Sequence, residues 1–298
     1  MNARRRLLPL ILAGSALLAQ TPPPPPAPPA PPSPSFGIDV PTGGRTETRT
    51  EPLAYGSKLW VKNRNGAIYV TGWDREQVQL TATIRDSSKR RVELVVQHKG
   101  PDLDIEAVFQ QPSWSFGFYM SPRCEMVLQV PRRVLGYFRT TNGNVQAENI
   151  EGYARCEATN GGIVVRNVKG EVETDTTNGT IDASQLFARI KGGTTNGRIL
   201  LADVAGGIHM ETTNGSIRAR NLDGWGEGIH LETTNGSIEV DLGKATGDIL
   251  AENSNGSLDI SVPGAQSIDI SKHSAHLKLP GKIQQIRLDT TNGSIRIR

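Results

Sequence analysis

Apolar residues recur in this chain at fixed offsets from a repeated Asn-Gly pair. Three residues after the asparagine stand Val145, Ile163, Ile181, Ile199, Ile217, Ile238, Leu258 and Ile295. Five after it stand Ala147, Val165, Ala183, Leu201, Ala219, Val240, Ile260 and Ile297. Further apolar columns follow at eight (Ile150, Val168, Leu186, Val204, Leu222) and near twelve (Val172, Ile190, Ile208, Ile229, Ile249). A spacing of two within a segment and three or four between segments predicts short strands joined by corners, three to a turn. Strands that bury their inner face only by stacking on copies of themselves form a parallel β-solenoid. No stretch reads as a convincing amphipathic helix, so the fold class is all-β.

The asparagines fix the period. Asn142, Asn160, Asn178, Asn196 and Asn214 are 18 residues apart, and the steps to Asn235 and Asn255 are 21 and 20. A fixed period this short means stacked rungs. The 37 residues from Asn255 to Asn292 leave room for a degenerate copy at Ser274-Ala275, followed by Leu277 and Leu279, so the repeat is expected to run on to the C-terminus. Eight intervals at a rung spacing of about 4.8 Å predict a rod of roughly 38 Å.

The full phrase is Thr-Thr-Asn-Gly, as at Thr140–Gly143 and Thr212–Gly215. Glycine would supply a positive φ at a tight corner, and the asparagine before it tolerates the left-handed region. Stacked asparagine amides can bond from rung to rung. The first threonine should point inward, its hydroxyl satisfied by the threonines above and below. These are structural roles, and Asn142, Asn160, Asn178, Asn196, Asn214, Asn235, Asn255 and Asn292 are assigned to one ladder.

Upstream, Leu59–Lys62, Ala67–Thr71, Val78–Ile84, Val92–Gln97, Leu103–Val108 and Met126–Val130 read as strands. Residues 45–135 are therefore an irregular β region that continues or caps the regular repeats of 136–298. Met1–Arg6 carries three arginines and Leu7–Ala19 is apolar, which makes residues 1–20 a secretory signal peptide. Thirteen apolar residues fall short of the roughly 20 that span a bilayer, so no transmembrane segment is expected in the mature chain. Residues 21–44 form a proline-rich, disordered linker, with ten prolines between Pro22 and Ser35. The protein is thus read as exported, to the periplasm, the cell surface or beyond.

Without the three leader arginines the Lys+Arg count of 33 falls to 30, equal to the 30 Asp+Glu. A neutral mature chain lacks the basic field that nucleic-acid binding needs. Cys124 and Cys156 could pair in an exported protein or remain as thiols, Cys156 pointing inward.

The chain resembles exported or envelope-associated bacterial proteins that carry a putative-adhesin domain of unknown function, built from degenerate Asn-Gly-Ser-Ile rungs. The resemblance covers Leu53 to Arg298 and includes the early copy Asn65-Gly66-Ala67-Ile68-Tyr69-Val70. It implies a β-solenoid and an adhesive or envelope-stress role, and it transfers no catalytic residue.

Three places could carry chemistry. An outward column three residues before each asparagine holds Glu157, Asp175, Glu211, Glu232, Glu252 and Asp289, with bases two residues earlier at Arg155, Lys191, His209 and His230. Stacked carboxylates need cations or bases between them, so calcium is the one cofactor they would accept. An insertion places Trp225 on a glycine-rich loop beside His230 and Glu232, the shape of a sugar-stacking platform together with His209 and Glu211. Trp114, Phe116, Phe118 and Tyr119 cluster in one loop that caps a solenoid end or meets a partner. His273 and His276 have H-x-x-H spacing with no evident third ligand, and nucleophile or phosphate-loop motifs are absent. No catalytic or metal site is therefore assigned. The leading expectation is a non-enzymatic adhesin-like module for a glycan or other cell-envelope component. The alternatives are a scaffold that stacks end to end through an open C-terminal edge, an envelope-stress sensor component, and a polysaccharide-degrading enzyme.

Overall fold

The computed structural model describes residues 44–87, 91–110, 121–224, 226–281 and 284–298, and every regular element in them is a strand. A regular rung consists of a strand of up to ten residues that ends at the ladder asparagine, a tight turn, and a short strand that follows. Arg133–Asn142 with Val145–Glu148, and Glu151–Asn160 with Ile163–Arg166, are examples. The third segment expected per turn is reduced to two residues, Leu186↔Val204↔Leu222 and Phe187↔Ala205↔Asp223, that merge with the short strands.

Parallel pairing in fixed register stacks the long strands on one face and the short strands on the other. The apolar columns line the space between them: Val145, Ile163, Ile181, Ile199, Ile217 and Ile238 are fully buried. Each such side chain contributes about 1.5–3 kcal/mol, available only while its neighbours above and below are in place.

The ladder is continuous. Side-chain amides bond Asn160 to Asn142, Asn178 to Asn160, Asn196 to Asn178 and Asn214 to Asn196, each at 2.9 Å. The chemistry of the phrase differs from the expectation in two respects. The first threonines are buried, but their hydroxyls donate to the glycine carbonyl of the neighbouring rung rather than to one another, as Thr194 Oγ1 does to Gly179 at 3.0 Å and Thr212 Oγ1 to Gly197 at 3.1 Å. The ladder asparagines are also not left-handed. Glycine is required because the backbones approach closely: a Cβ on Gly215 would lie 1.7 Å from the Gly197 carbonyl oxygen. The left-handed residues sit at the opposite corner, at Asn149, Asn167, Gln185, Asp203 and Asn221, with φ between 50° and 59°. They form a second polar column, in which Asn167 Nδ2 donates to Asn149 Oδ1 at 2.6 Å and Asn221 to Asp203.

Both ends depart from simple order. At the N-terminal end the Asn65 rung, Lys58–Lys62 and Ile68–Trp73, stacks on the Asn142 rung. Outside it lies a rung formed by Asp102–Phe109 and Arg123–Pro131. Pairing then turns antiparallel, through Val92–Lys99 on one face and Gln77–Arg85 with Arg45–Pro52 on the other.

At the C-terminal end the last strands in sequence are not last in the stack. Gln285–Asn292 pairs with Ile229–Asn235 on one side and Asp248–Asn255 on the other, and Ile295–Ile297 lies between Ile238–Asp241 and Leu258–Ile260. The ladder confirms the order: Asn235 to Asn214 at 2.9 Å, Asn292 to Asn235 at 2.8 Å, Asn255 to Asn292 at 3.0 Å. The expected open edge at Arg296 and Arg298 does not exist. The degenerate copy at Ser274 is not a rung either, since Ser274–Lys278 runs antiparallel on Asp248–Asn255 and forms a hairpin with Ser267–Ile270.

The two irregular spacings now have a cause. Residues 242–247 climb two rung heights so that one level stays vacant for the last rung. The insertion at 223–228 borders the path by which residues 284 and 285 enter, with Gly224 against the Gln284 side chain and Gly228 against the Gln285 carbonyl.

Candidate functional site

Strand alternation sends every second residue of the long-strand face outward. Three columns result. The first is of exposed hydroxyls: Thr141, Thr159, Thr177, Thr195, Thr213, Thr234, Thr291 and Ser254. Two residues earlier runs the acidic column, and two earlier again the column of bases. Together they line an open trough. Its central part, about 640 Å³, runs from Arg139 to Glu232, and a further 430 Å³ follows from Glu232 to His273.

Bases match the carboxylates in the first half. Arg155 bonds Glu157 at 2.5 Å and Glu173 at 2.8 Å and reaches Asp175 at 3.9 Å, and Lys191 holds Glu173 at 2.7 Å. The hydrogen bond Arg155 donates to Glu157 raises the Arg155 pKa despite burial. Burial pushes Glu173 up, but hydrogen bonds from Lys191 and Tyr153 outweigh it and leave its carboxyl below the ordinary value. Asp175, with Arg155 farther off, is raised by burial.

Gly193 interrupts the acidic column. A Cβ there would meet the Glu211 carbonyl oxygen at 2.4 Å, so this rung presents backbone alone at the middle of the trough. Beneath it the core is thin, for Gly192 follows Thr174, whose buried hydroxyl has no partner. An orphan of that kind costs about 1–3 kcal/mol.

Beyond Gly193 the structure brings His209, His230, Glu211 and Glu232 together. His209 Nε2 lies 2.7 Å from Glu211, the two imidazoles meet edge to face at 4.7 Å, and His230 Nε2 is 3.2 Å from Asp289 and 3.8 Å from Glu232. Arg287 closes the cluster on Asp289 at 2.7 Å and Glu252 at 3.4 Å. Asp289 meets His230 only because the last rung is inserted here. Among the described residues no group of three or more His, Cys, Asp or Glu is placed to hold a metal ion. His273 bonds Asn253 at 3.0 Å, and His276 lies on the antiparallel strand.

Trp225, Trp114, Phe116, Phe118 and Tyr119 lie outside the described residues. Glu227, two residues later in sequence than Trp225, pairs with Arg189 at 2.8 Å. The strands on either side of residues 111–120 in sequence, Asp102–Phe109 and Arg123–Pro131, form the outer N-terminal rung.

The sequence reading missed the aromatic group at the head of the trough. Trp60 and Tyr137 stack at 5.5 Å and line a 170 Å³ hollow that shares Arg139 and Glu157 with the trough, and Tyr137 meets Tyr153 at 5.3 Å. Trp60 and Tyr137 stand five residues before Asn65 and Asn142, so alignment on the asparagines would have found them.

Cys124 and Cys156 are unpaired, fully buried thiols on separate pairs of strands, which decides the question the sequence left open. Burial pushes each up to about 12, which removes the thiolate that reactivity requires.

Residues 57–298 match the model of a family described as Toastrack DUF4097. Three solved structures are similar. A putative cell adhesion protein from Clostridium sporogenes is 12% identical over 85% of this chain and 99% of its own, with a TM-score of 0.25. A putative lipid binding protein from Parabacteroides distasonis is 16% identical over 86% and 97%, at 0.46. A putative adhesin from Bacteroides fragilis is 12% identical over 86% and 98%, at 0.35. These superpositions are loose. No curated protein matches the chain.

Proposed function

This chain belongs to the Toastrack DUF4097 family, and from that premise we propose that it is an exported, non-enzymatic, adhesin-like module that holds a polyhydroxylated chain of the cell envelope along the long-strand trough. One observation carries the reading. An outward hydroxyl recurs on eight stacked rungs, from Asn142 to Asn255, over seven intervals or about 34 Å, and six of these rungs set a carboxylate beside it, at Glu157, Asp175, Glu211, Glu232, Asp289 and Glu252. A surface that repeats its contacts every rung suits a ligand that repeats its groups. Threonine hydroxyls donate and accept, carboxylates accept from sugar hydroxyls, and the Trp60–Tyr137–Tyr153 group supplies apolar edges at one end. Export rests on the leader at residues 1–20, with residues 21–44 as a proline-rich linker ahead of the rungs.

A second reading, cleavage of the bound chain, is favoured by one feature. Glu173 and Asp175 are neighbouring carboxyls whose pKa values are pushed in opposite directions, as in acid–base pairs. The clamp of Glu173 between Arg155 and Lys191 argues for a structural role instead.

The test is co-sedimentation of residues 21–298 with insoluble cell-wall and plant polysaccharides, with and without calcium, and assay of the supernatant for released sugar. Binding without release is expected, and it should be lost in Thr195→Lys/Thr213→Lys, whose side chains point outward. Release of sugar would establish the enzyme reading. Loss of binding in Trp225→Ala but not in the trough variant would move the ligand to the corner loop. No binding to any polymer would refute the proposal.

A further inference from the structure

The inserted last rung has a consequence for partners. We propose that residues 285–298 form an exchangeable rung, and that the slot they fill accepts the same segment from a second copy of this chain.

The slot is complete before its occupant in chain order. Its lower wall is Ile229–Asp241 and its upper wall Asp248–Ile260, and the connection 242–247 already spans the vacant level. Each wall addresses the segment by backbone groups. Gly236 N donates to the Asn292 carbonyl at 3.0 Å and Ile238 N to Ser294 at 3.0 Å from below, while Gly293 N reaches Asn255 at 2.9 Å and Ile295 N reaches Ser257 at 3.0 Å above. Thr290 Oγ1 donates to the Gly236 carbonyl at 2.9 Å, as Thr176, Thr194, Thr212 and Thr233 do to the glycine of the rung before them. Ion pairs add register: Asp289 to His230 and Arg296 to Asp259 at 2.7 Å. None of these contacts depends on which chain supplies the segment.

An empty slot would be costly. It would expose two open strand edges and the fully buried Leu288, Ile295 and Ile297, a template for pairing with any matching strand. The nearest matching strand is the same segment of another copy. The covalent entry is also poorly satisfied where it is described. Gln284 is buried against Gly224 and Gly247, and its Nε2 has no hydrogen-bond partner. Exchange of an identical element between copies reproduces every contact of the slot, which is the condition for domain swapping. The swapped pair would also place Arg287 and Asp289 of one copy in the histidine cluster of the other.

Ser257 Oγ and Ser294 Oγ lie 3.0 Å apart across the upper wall, which gives a direct test. Full chains carrying Ser257→Cys or Ser294→Cys alone are co-expressed with different tags and oxidised. Cys124 and Cys156, fully buried, stay out of the reaction. The expected product is a reducible heterodimer, at a yield several-fold above that from pairing Ser257→Cys with Thr195→Cys, a surface position away from the slot. The double variant Ser257→Cys/Ser294→Cys reports the geometry by closing within one chain. If its bond does not form, Ser237→Cys with Ser294→Cys replaces the pair, since Ser294 N lies 3.4 Å from Ser237 Oγ. Closure within one chain together with no heterodimer above the Thr195→Cys background would overturn the proposal.

Discussion

The rungs of Asn142 to Asn214 and those of Asn235, Asn292 and Asn255 use the same parts but assemble them differently. In the first group chain order and stacking order coincide, each rung laid on the one before it. In the second the chain skips a level, builds the outer rung, turns back through an antiparallel hairpin and fills the gap last. Ladder distances do not distinguish the groups: 2.9 Å between Asn196 and Asn178, 2.8 Å between Asn292 and Asn235. The phrase Thr-Thr-Asn-Gly therefore specifies how a rung meets a neighbour and leaves open which neighbour it meets. That choice rests with the connections, which differ between the two groups in length and in the hairpin that turns the chain back.

The largest expected effect comes from Gly215→Ala, whose Cβ would lie 1.7 Å from a carbonyl oxygen. In the regular stack the two rungs must part, at a cost of about 3 kcal/mol or more, and the melting temperature should fall by roughly 10 °C. Gly293→Ala meets Gly236 at 1.8 Å, but here the protein can expel the last rung and keep the rest. Hydrogen exchange should show amides of 285–298 opening while those of 142–214 stay protected. Equal global loss in both variants would erase the distinction between the groups.

Next in size are Thr212→Val and Thr290→Val. Each removes a hydroxyl bonded to a glycine carbonyl and should cost about 1–2 kcal/mol in chemical denaturation. Similar values would sharpen the comparison by showing that the rung contact itself is the same in both groups. The smallest effect is expected from Glu173→Gln, about 1 kcal/mol at neutral pH, confined to the regular group because only there do Arg155 and Lys191 clamp a carboxylate. The folded Glu173 carboxyl titrates below its ordinary 4.5. Its contribution is complete above that value and is lost as pH falls through the lower folded one. The gap between wild type and variant should close in acid, and a gap that persists there would assign the effect to packing.

Much of this was legible from residue spacing. The inward columns and the ladder register follow from alignment on the asparagines, and a second 18-residue column at Asn149, Asn167, Gln185, Asp203 and Asn221 was there to be seen as the left-handed corner. Stacking order was not, because Asn255 (in Asn-Ser-Asn-Gly) and Asn292 (in Thr-Thr-Asn-Gly) share the Asn-Gly pair and either could follow Asn235. For the same reason the candidate site was read in part: His209, His230, Glu211 and Glu232 fall on adjacent rungs in sequence, whereas Arg287 and Asp289 reach them only through the insertion. Threonine's partner was misread because the ladder logic of asparagine was extended to a shorter side chain, which reaches a carbonyl before it reaches its equivalent.

Native-state hydrogen exchange on the unmodified protein tests the central claim, that the last rung lies inside the stack. Insertion predicts that the amides of Asn292, Gly293 and Ile295 are protected as strongly as those of Asn196, Gly197 and Ile199. Exchange of 285–298 as fast as that of an unpaired terminal strand, with the Asn196 rung still protected, would contradict it.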